Sequence, residues 1–348
     1  MMYQLQVIIV GLVLLFCKNL ASSSATTYYA IKPFQEVPHY GSIFSYNPQT
    51  STFVFYANFS FHIDDNTTDL YYFVPGPVAI ATNNTSSILY IPVECGTSFQ
   101  RLFLLAFDMK TKNFKQSKWL LKNGGFDYLY YDPLRHRLFG SRDVNTFTLI
   151  MEEYNITTLD VIREYTRQDG EKYAFPDASC SIFDYNENWI VQVRTRFEST
   201  TVNAYFVKMD LNLVGKKKDI VVEFRLLPNV HSLCTMTYDM KTKLIFATWQ
   251  YGSIDNNLVM LYMNPYTSEF SNVTLLFETP DLWVVEFIDA IFDEQTRHIL
   301  FLIQHQNEET FDLKNWMILV EFDTMNVIGK KQVKTIPEFA DWEYFILQ

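Results

Sequence analysis

Six histidines, three cysteines beyond the N-terminal run and six N-x-[ST] sequons are the residues whose types and spacing bear most directly on chemistry. The histidines are His39, His62, His136, His231, His298 and His305, and none shows the short spacing that gathers imidazoles onto one metal. His298 and His305 bracket the strand-like run ILFLIQ, which gives them a structural or surface role rather than a shared site. No GxSxG elbow, phosphate-binding P-loop or GxGxxG turn occurs. The segment His62–Asn66 is acidic but lacks the Gly and the distal Glu of a calcium-binding EF loop. The six Trp residues could form a sugar platform, but most sit inside apolar runs, where packing is the default role. No catalytic motif is legible, so a non-enzymatic role is the expectation.

The sequons are at Asn58, Asn66, Asn83, Asn84, Asn155 and Asn272, with Asn83 and Asn84 adjacent and able to share one glycan. They follow a leader-like start: Val7 to Cys17 is apolar if Gly11 is allowed, and small residues from Ala21 to Ala25 supply a cleavage zone. Eleven apolar residues are too few to span a bilayer. Residues 1–25 therefore read as a signal peptide and 26–348 as the mature chain, secreted and glycosylated, without a transmembrane segment. The net charge of −11 argues against nucleic acid and anionic membranes as partners. Cys95, Cys180 and Cys234 make an odd set, consistent with one disulfide and one unpaired thiol.

What must position these residues is a repeat. The hexamers FDMKTK (107–112) and YDMKTK (238–243) share a form: an aromatic residue, Asp or Asn, then polar residues, then an apolar run. An Asp or Asn at the head of a turn accepts hydrogen bonds from backbone N–H groups just ahead of it, so these residues read as hairpin makers. One series runs through Asn47, Asn83, Asp132, Asp184, Asp239 and Asp293; a second runs through Asp108, Asn155, Asp210, Asn264 and Asp323. The two interleave with a period near fifty residues, so each unit holds two hairpin turns and hence four strands. Four-stranded units in radial repetition make an all-β propeller in one domain. Six units can be counted, over 40–77, 78–123, 124–172, 173–228, 229–282 and 283–338, and six blades are favoured over seven. The runs TTYYAIKPF and DWEYFILQ are left at the two ends, and one could complete a blade begun at the other. Cys180 and Cys234 each begin an innermost strand of adjacent units and are expected to form the disulfide; three buried thiols are the alternative.

The hairpins FDYLYYDPLRHRLFG and AIFDEQTRHILFL resemble the innermost hairpins of six-bladed propellers of the low-density-lipoprotein-receptor, NHL and gluconolactonase-like groups. The YWTD, WD and kelch signatures of particular families are absent, so the resemblance is to the superfamily. It implies a domain that presents a broad face of loops, suited to an extracellular binding or matrix protein with a protein or glycan partner. The alternative it implies is a metal-dependent hydrolase of the lactonase or esterase kind, with a divalent cation such as calcium held in the central funnel by carboxylates and amides. Asp127, Asp177, Glu286 and Asp289, just before or within the innermost strands, are the residues it points to for that cation. No other cofactor is expected.

Overall fold

The computed structural model describes residues 13–17, 27–32, 40–47, 52–60, 74–75, 79–82, 87–95, 101–117, 120–121, 128–145, 148–168, 174–198, 201–213, 220–225, 230–251, 257–271, 273–280, 283–333 and 345–346. They fold into antiparallel sheets set in a ring. The first contains β1 (Val13–Cys17), β2 (Thr27–Lys32), β3 (Tyr40–Asn47) and β4 (Thr52–Ser60). Next come β5 (Val74–Pro75), β6 (Ala79–Thr82), β7 (Ser87–Cys95), β8 (Arg101–Asp108), β9 (Phe114–Gln116) and β10 (Leu120–Leu121). The third sheet is β11 (Tyr128–Asp132), β12 (Arg137–Asn145), β13 (Thr148–Tyr154) and β14 (Val161–Gln168). The fourth is β15 (Ala174–Asp184), β16 (Trp189–Glu198), β17 (Thr201–Asp210) and β18 (Ile220–Arg225). The fifth is β19 (Val230–Asp239), β20 (Leu244–Tyr251), β21 (Asn257–Met263) and β22 (Thr274–Phe277). The last is β23 (Trp283–Asp293), β24 (His298–Asn307), β25 (Leu313–Glu321) and β26 (Asn326–Val333), with β27 (Phe345–Ile346) following. Among the described residues, no helix is long and apolar enough to cross a membrane.

The all-β propeller of four-stranded antiparallel blades is as expected, but the count of six blades is corrected to five. Five sheets place four successive strands in sequential order: β1–β4, β11–β14, β15–β18, β19–β22 and β23–β26. The sheet over 74–121 departs from that plan, running β10-β8-β7-β5 with β6 and β9 off the path. Its first-strand region is described in two short pieces, Val74–Pro75 and Ala79–Thr82, and Pro75 supplies no N–H to a ladder. The first unit also differs from the expected 40–77: its sheet reaches back to β2 and β1.

The first strands of neighbouring sheets pack side by side, β15 against β19, β19 against β23, and β11 against β6 and β15. Closure brings β23 against both β1 and β27. Those two strands meet the same residues of β2, Val13 and Phe345 at Ile31, Leu14 and Ile346 at Ala30. Between sheets, apolar faces interlock. Phe246, Leu258 and Met260 of the fifth sheet pack with Phe301, Ile318 and Phe322 of the sixth, and Tyr90 stacks on Tyr131 across the second and third.

The turns follow one rule. Asp108, Asn155, Asp184, Asn264, Asn307 and Asp132 each accept, at Oδ1, the N–H groups two and three residues on. The fourth residue then adopts the left-handed conformation: Lys112, His136, Leu159, Asn188, Lys243, Ser268, Arg297, Phe311 and Met325, with φ between 49° and 63°. In six of these turns its N–H donates back to the carbonyl of the head residue, closing a single helical turn. Both copies of the repeated hexamer end on this residue, Lys112 and Lys243. Two heads differ from expectation. Asn47 stands at the β3–β4 hairpin, an outer one, rather than with the inner series. The last outer turn is headed by Glu321, not Asp323, since Met325 N–H bonds to Glu321 O. Asn83 lies outside the described residues.

Position in the blade separates the two series. The inner heads Asp132, Asp184, Asp239 and Asp293 are 0–2% exposed, and three of them are paired with cations. Asp132 takes Arg137 at 2.7 Å and Arg135 at 3.1 Å. Asp184 takes Lys243 at 2.9 Å and the Tyr238 hydroxyl at 2.7 Å, both from the next blade. Asp239 takes Arg297 of the following blade at 2.6 Å, and Arg297 also reaches Asp323. Arg137 also donates to Asn188 Oδ1 at 2.6 Å, linking the third sheet to the fourth. Burial alone would raise these three carboxyls. The hydrogen bonds from Arg137 and Arg135, from Lys243 and Tyr238, and from Thr242 and Arg297 outweigh it and hold all three below the usual range.

Three outcomes follow. Because folded Asp132, Asp184 and Asp239 titrate below their unfolded value of about 3.9, their stabilisation is present above that value and is lost as pH falls below it. Acid unfolding followed by circular dichroism is therefore expected to steepen below about pH 4. Arg297→Gln leaves buried Asp239 without its cation and is expected to cost about 2–3 kcal/mol, less than a fully buried pair because the guanidinium is partly solvated. Phe311 is 70% exposed at φ 59°, so Phe311→Gly relieves about 1–2 kcal/mol of left-handed strain against about 0.5–1 kcal/mol of added unfolded-state entropy. Urea titration should show F311G slightly more stable than the parent, whereas Leu159→Gly, at a fully buried turn residue, should be clearly less stable.

Candidate functional site

The contacts between sheets are mainly apolar, and the first strands, which pack side by side around the ring, carry polar residues away from their turns. Three of these strands break register with their partners. On β15, Pro176 pairs with Arg194 and Ser181 with Gln192, so Asp177–Cys180 stand against the single residue Val193. On β19, Val230 pairs with Tyr251 and Cys234 with Trp249, so His231, Ser232 and Leu233 stand against Gln250 alone. On β23, Val285 pairs with His305 and Phe287 with Gln304, leaving Glu286 as a single extra residue. Counted back from the inner turn heads Asp184, Asp239 and Asp293, the breaks overlap in chain position at Asp177, Ser232 and Glu286, although regular pairing from the head ends sooner on β15, at Ser181, than at Cys234 on β19 or Phe287 on β23. A bulge of this kind re-aims side chains and interrupts pairing, and here three successive blades carry one side by side.

The sequence-derived candidates distribute as follows. Asp177 and Glu286 both fall within these breaks. Asp289 lies further along β23 in regular register opposite Leu302. Asp127 lies outside the described residues. For Asp177, Glu286 and Asp289 the structure gives strand positions only; among residues whose side chains are described, no three of His, Cys, Asp or Glu gather as a metal-binding group. Cys180 and Cys234 lie on neighbouring first strands, at the end of one break and just after the other. Cys95 lies on β7 opposite Arg101.

Of the sequons, Asn66, Asn83, Asn84 and Asn272 fall outside the described residues. Asn58 is exposed on β4, where its Oδ1 accepts the Ser42 hydroxyl at 2.8 Å. Asn155 heads an outer turn, its Oδ1 occupied by the N–H groups of Thr157 and Thr158.

Sequence reasoning missed His231, which it counted only among histidines without metal spacing and which lies within the β19 register break. The signal was available in the spacing to the inner turn head: residues seven or eight before it are polar in all three blades, namely Asp177, His231, Ser232 and Glu286. Behind the breaks the second strands present buried amides. Gln192 is fully buried, and Gln304 donates to Asn315 Oδ1 at 3.1 Å.

The fold of solved structures agrees with this architecture. A candidate 6-phosphogluconolactonase from Bacteroides uniformis is similar with a TM-score of 0.53 and 12% identity, over 88% of this chain and 83% of that one. The periplasmic gluconolactonase of Pseudomonas aeruginosa gives 0.50 and 8%, over 92% and 86%. At these identities the likeness is one of fold, a β-propeller. No protein-family model and no curated protein matches the sequence.

Proposed function

We propose that this protein is a hydrolase of the lactone or ester class, with its site at the register breaks of β15, β19 and β23. The observation that carries the proposal is that three adjacent first strands each break register in the half away from the inner turn, two of the breaks holding a carboxylate. The similarity to two lactonase propellers supports this reading over that of an extracellular binding or matrix protein.

Hydrolysis of a lactone needs a base to take a proton from the attacking water, donors for the oxyanion that develops on the carbonyl oxygen, and a proton for the ring oxygen as the acyl C–O bond breaks. Asp177 and Glu286 are the candidate bases, and His231 is the candidate that returns the proton to the ring oxygen. Asp177, Glu286 and Asp289, with Asp127, are hard oxygen donors of the type that suits calcium, and they are the residues that would hold it. A bound divalent cation would polarise the lactone carbonyl.

The test is hydrolysis of δ-gluconolactone and 6-phosphogluconolactone, followed by acid release against the spontaneous rate. The protein is expected to accelerate at least one of them. Asp177→Asn and Glu286→Gln should each lower kcat about 100-fold or more with the melting temperature held. No acceleration of either lactone, with and without added calcium, would return the binding-protein reading to first place.

We extend the proposal to the compartment: a secreted chain that loses residues 1–25, and β1 with them, leaving β27 on Ala30 and Ile31 of β2, and that carries N-glycans and joins Cys180 to Cys234. Enzymatic deglycosylation of the protein from a secretory host should increase its mobility. Alkylation of the unfolded leader-free protein should label one cysteine before reduction and three after it.

A further inference from the structure

A second polar feature lies where the outer strand of the fifth sheet meets the sixth, with His305 paired to Val285 beside the β23 break. His305 on β24 is 2% exposed. Its ring packs 4.6 Å from that of Trp283 and 5.3 Å, edge to face, from that of Phe277. The indole N–H of Trp316 donates to His305 Nε2 at 2.6 Å. An imidazole nitrogen that accepts cannot carry the proton, so the neutral ring must carry it on Nδ1. That atom is buried and has no hydrogen-bond partner among the described residues. An N–H donor buried without an acceptor forfeits a hydrogen bond that it makes in water.

Two ammonium groups stand over the same aromatic cluster. Lys314, directly across the strand pair from His305, holds its Nζ 4.0 Å from the Trp283 ring centroid. Lys330 holds its Nζ 4.0 Å from Phe277 and 5.0 Å from Trp316. Neither lysine forms an ion pair with a described residue; Glu278 acts on Lys330 only at longer range. Stacking on aromatic faces holds the two heads in place without neutralising them. Burial, followed by the charges of Lys314 and Lys330, pushes the His305 pKa down to about 4, so the ring is neutral at physiological pH. The result is a locally cationic spot on a chain of net charge −11, with one buried N–H donor and two lysine heads that lack an anionic acceptor.

We propose that His305, Lys314 and Lys330 form a binding site for an anionic oxygen ligand, a carboxylate or a phosphate group, on the β24–β25 side of the β23 break. The anion would accept the His305 Nδ1–H and neutralise the lysines, while Trp283 and Phe277 offer apolar walls to whatever carries it.

Thermal unfolding of the full-length protein at pH 7 tests this with sodium phosphate and sodium acetate, each against sodium chloride at equal ionic strength. Binding is expected to raise the folding constant about elevenfold at an anion concentration ten times its dissociation constant. A response to phosphate alone assigns a phosphate group, one to acetate alone a carboxylate, and one to both the shared chemistry. Lys314→Met with Lys330→Met should abolish the response while keeping the side-chain stems over the rings. Should that double variant fold poorly, the 15N-labelled histidine spectrum of the parent replaces it. His305 is expected to appear protonated on Nδ1, with that signal shifting as anion is added. Stabilisation no greater than that by chloride, an unaltered response in the lysine variant, or a proton found on Nε2 would overturn the proposal.

Discussion

A carboxylate taken fully out of water must be met by donors, and the inner turn heads show how this chain meets that requirement. Each head spends one oxygen on backbone N–H groups of its own turn. In Asp184 and Asp239 the other oxygen is left for a neighbour, and the following blade supplies the cation. The same group thus shapes a hairpin and fastens one sheet to the next. Removing the partner from such a carboxylate costs more than the pair contributes when intact, because the charge left behind is desolvated. The ring is therefore tied most firmly at the turn face, while the opposite ends of the first strands are free to depart from regular pairing.

The pairing of turns and the near-fifty spacing were legible in the sequence because Asp and Asn heads act locally, through N–H groups two and three residues away. The same locality sets the limit of that reading. Inner and outer hairpins use one turn geometry, so Asn47 looked like an inner head although it belongs to an outer hairpin. Asp323 resembled a head because an Asp stands in the right region, but the turn begins at Glu321 and Asp323 serves Arg297 instead. Blade count depends on strand continuity, and Pro75, which supplies no N–H to a ladder, stands in a segment that otherwise reads as one apolar run. The register breaks are less visible still: one to three extra residues within a long strand leave the apolar pattern intact and show only when the partner strand is known.

Polar chemistry consequently sits in two settings with different physics. At the axis, extra residues in three strands gather acid and imidazole positions on backbone freed from its ladder. Between the fifth and sixth sheets, His305 lies in unbroken register with Lys314 on β25 but borders the Glu286 break on its β23 side, and what is unusual is a buried donor without a partner among the described residues. Asp177 and Glu286 could be proposed from sequence as acids near strand ends. His305 could not be singled out, because its surroundings come from four strands, β22 to β25, and from Lys330 on a fifth.

The left-handed residue that closes each hairpin is occupied by Lys, His, Leu, Asn, Ser, Arg, Phe or Met, and never by Gly in the nine described cases. The hydrogen bonds of the head fix the backbone there, so the side chain is open to variation. At Lys243 and Arg297 that freedom selects which carboxylate is grasped, and each grasps the inner head of the preceding blade. One side chain in this slot therefore serves two sheets at once: its backbone ends its own hairpin and its charge neutralises the carboxylate that shapes the hairpin before it.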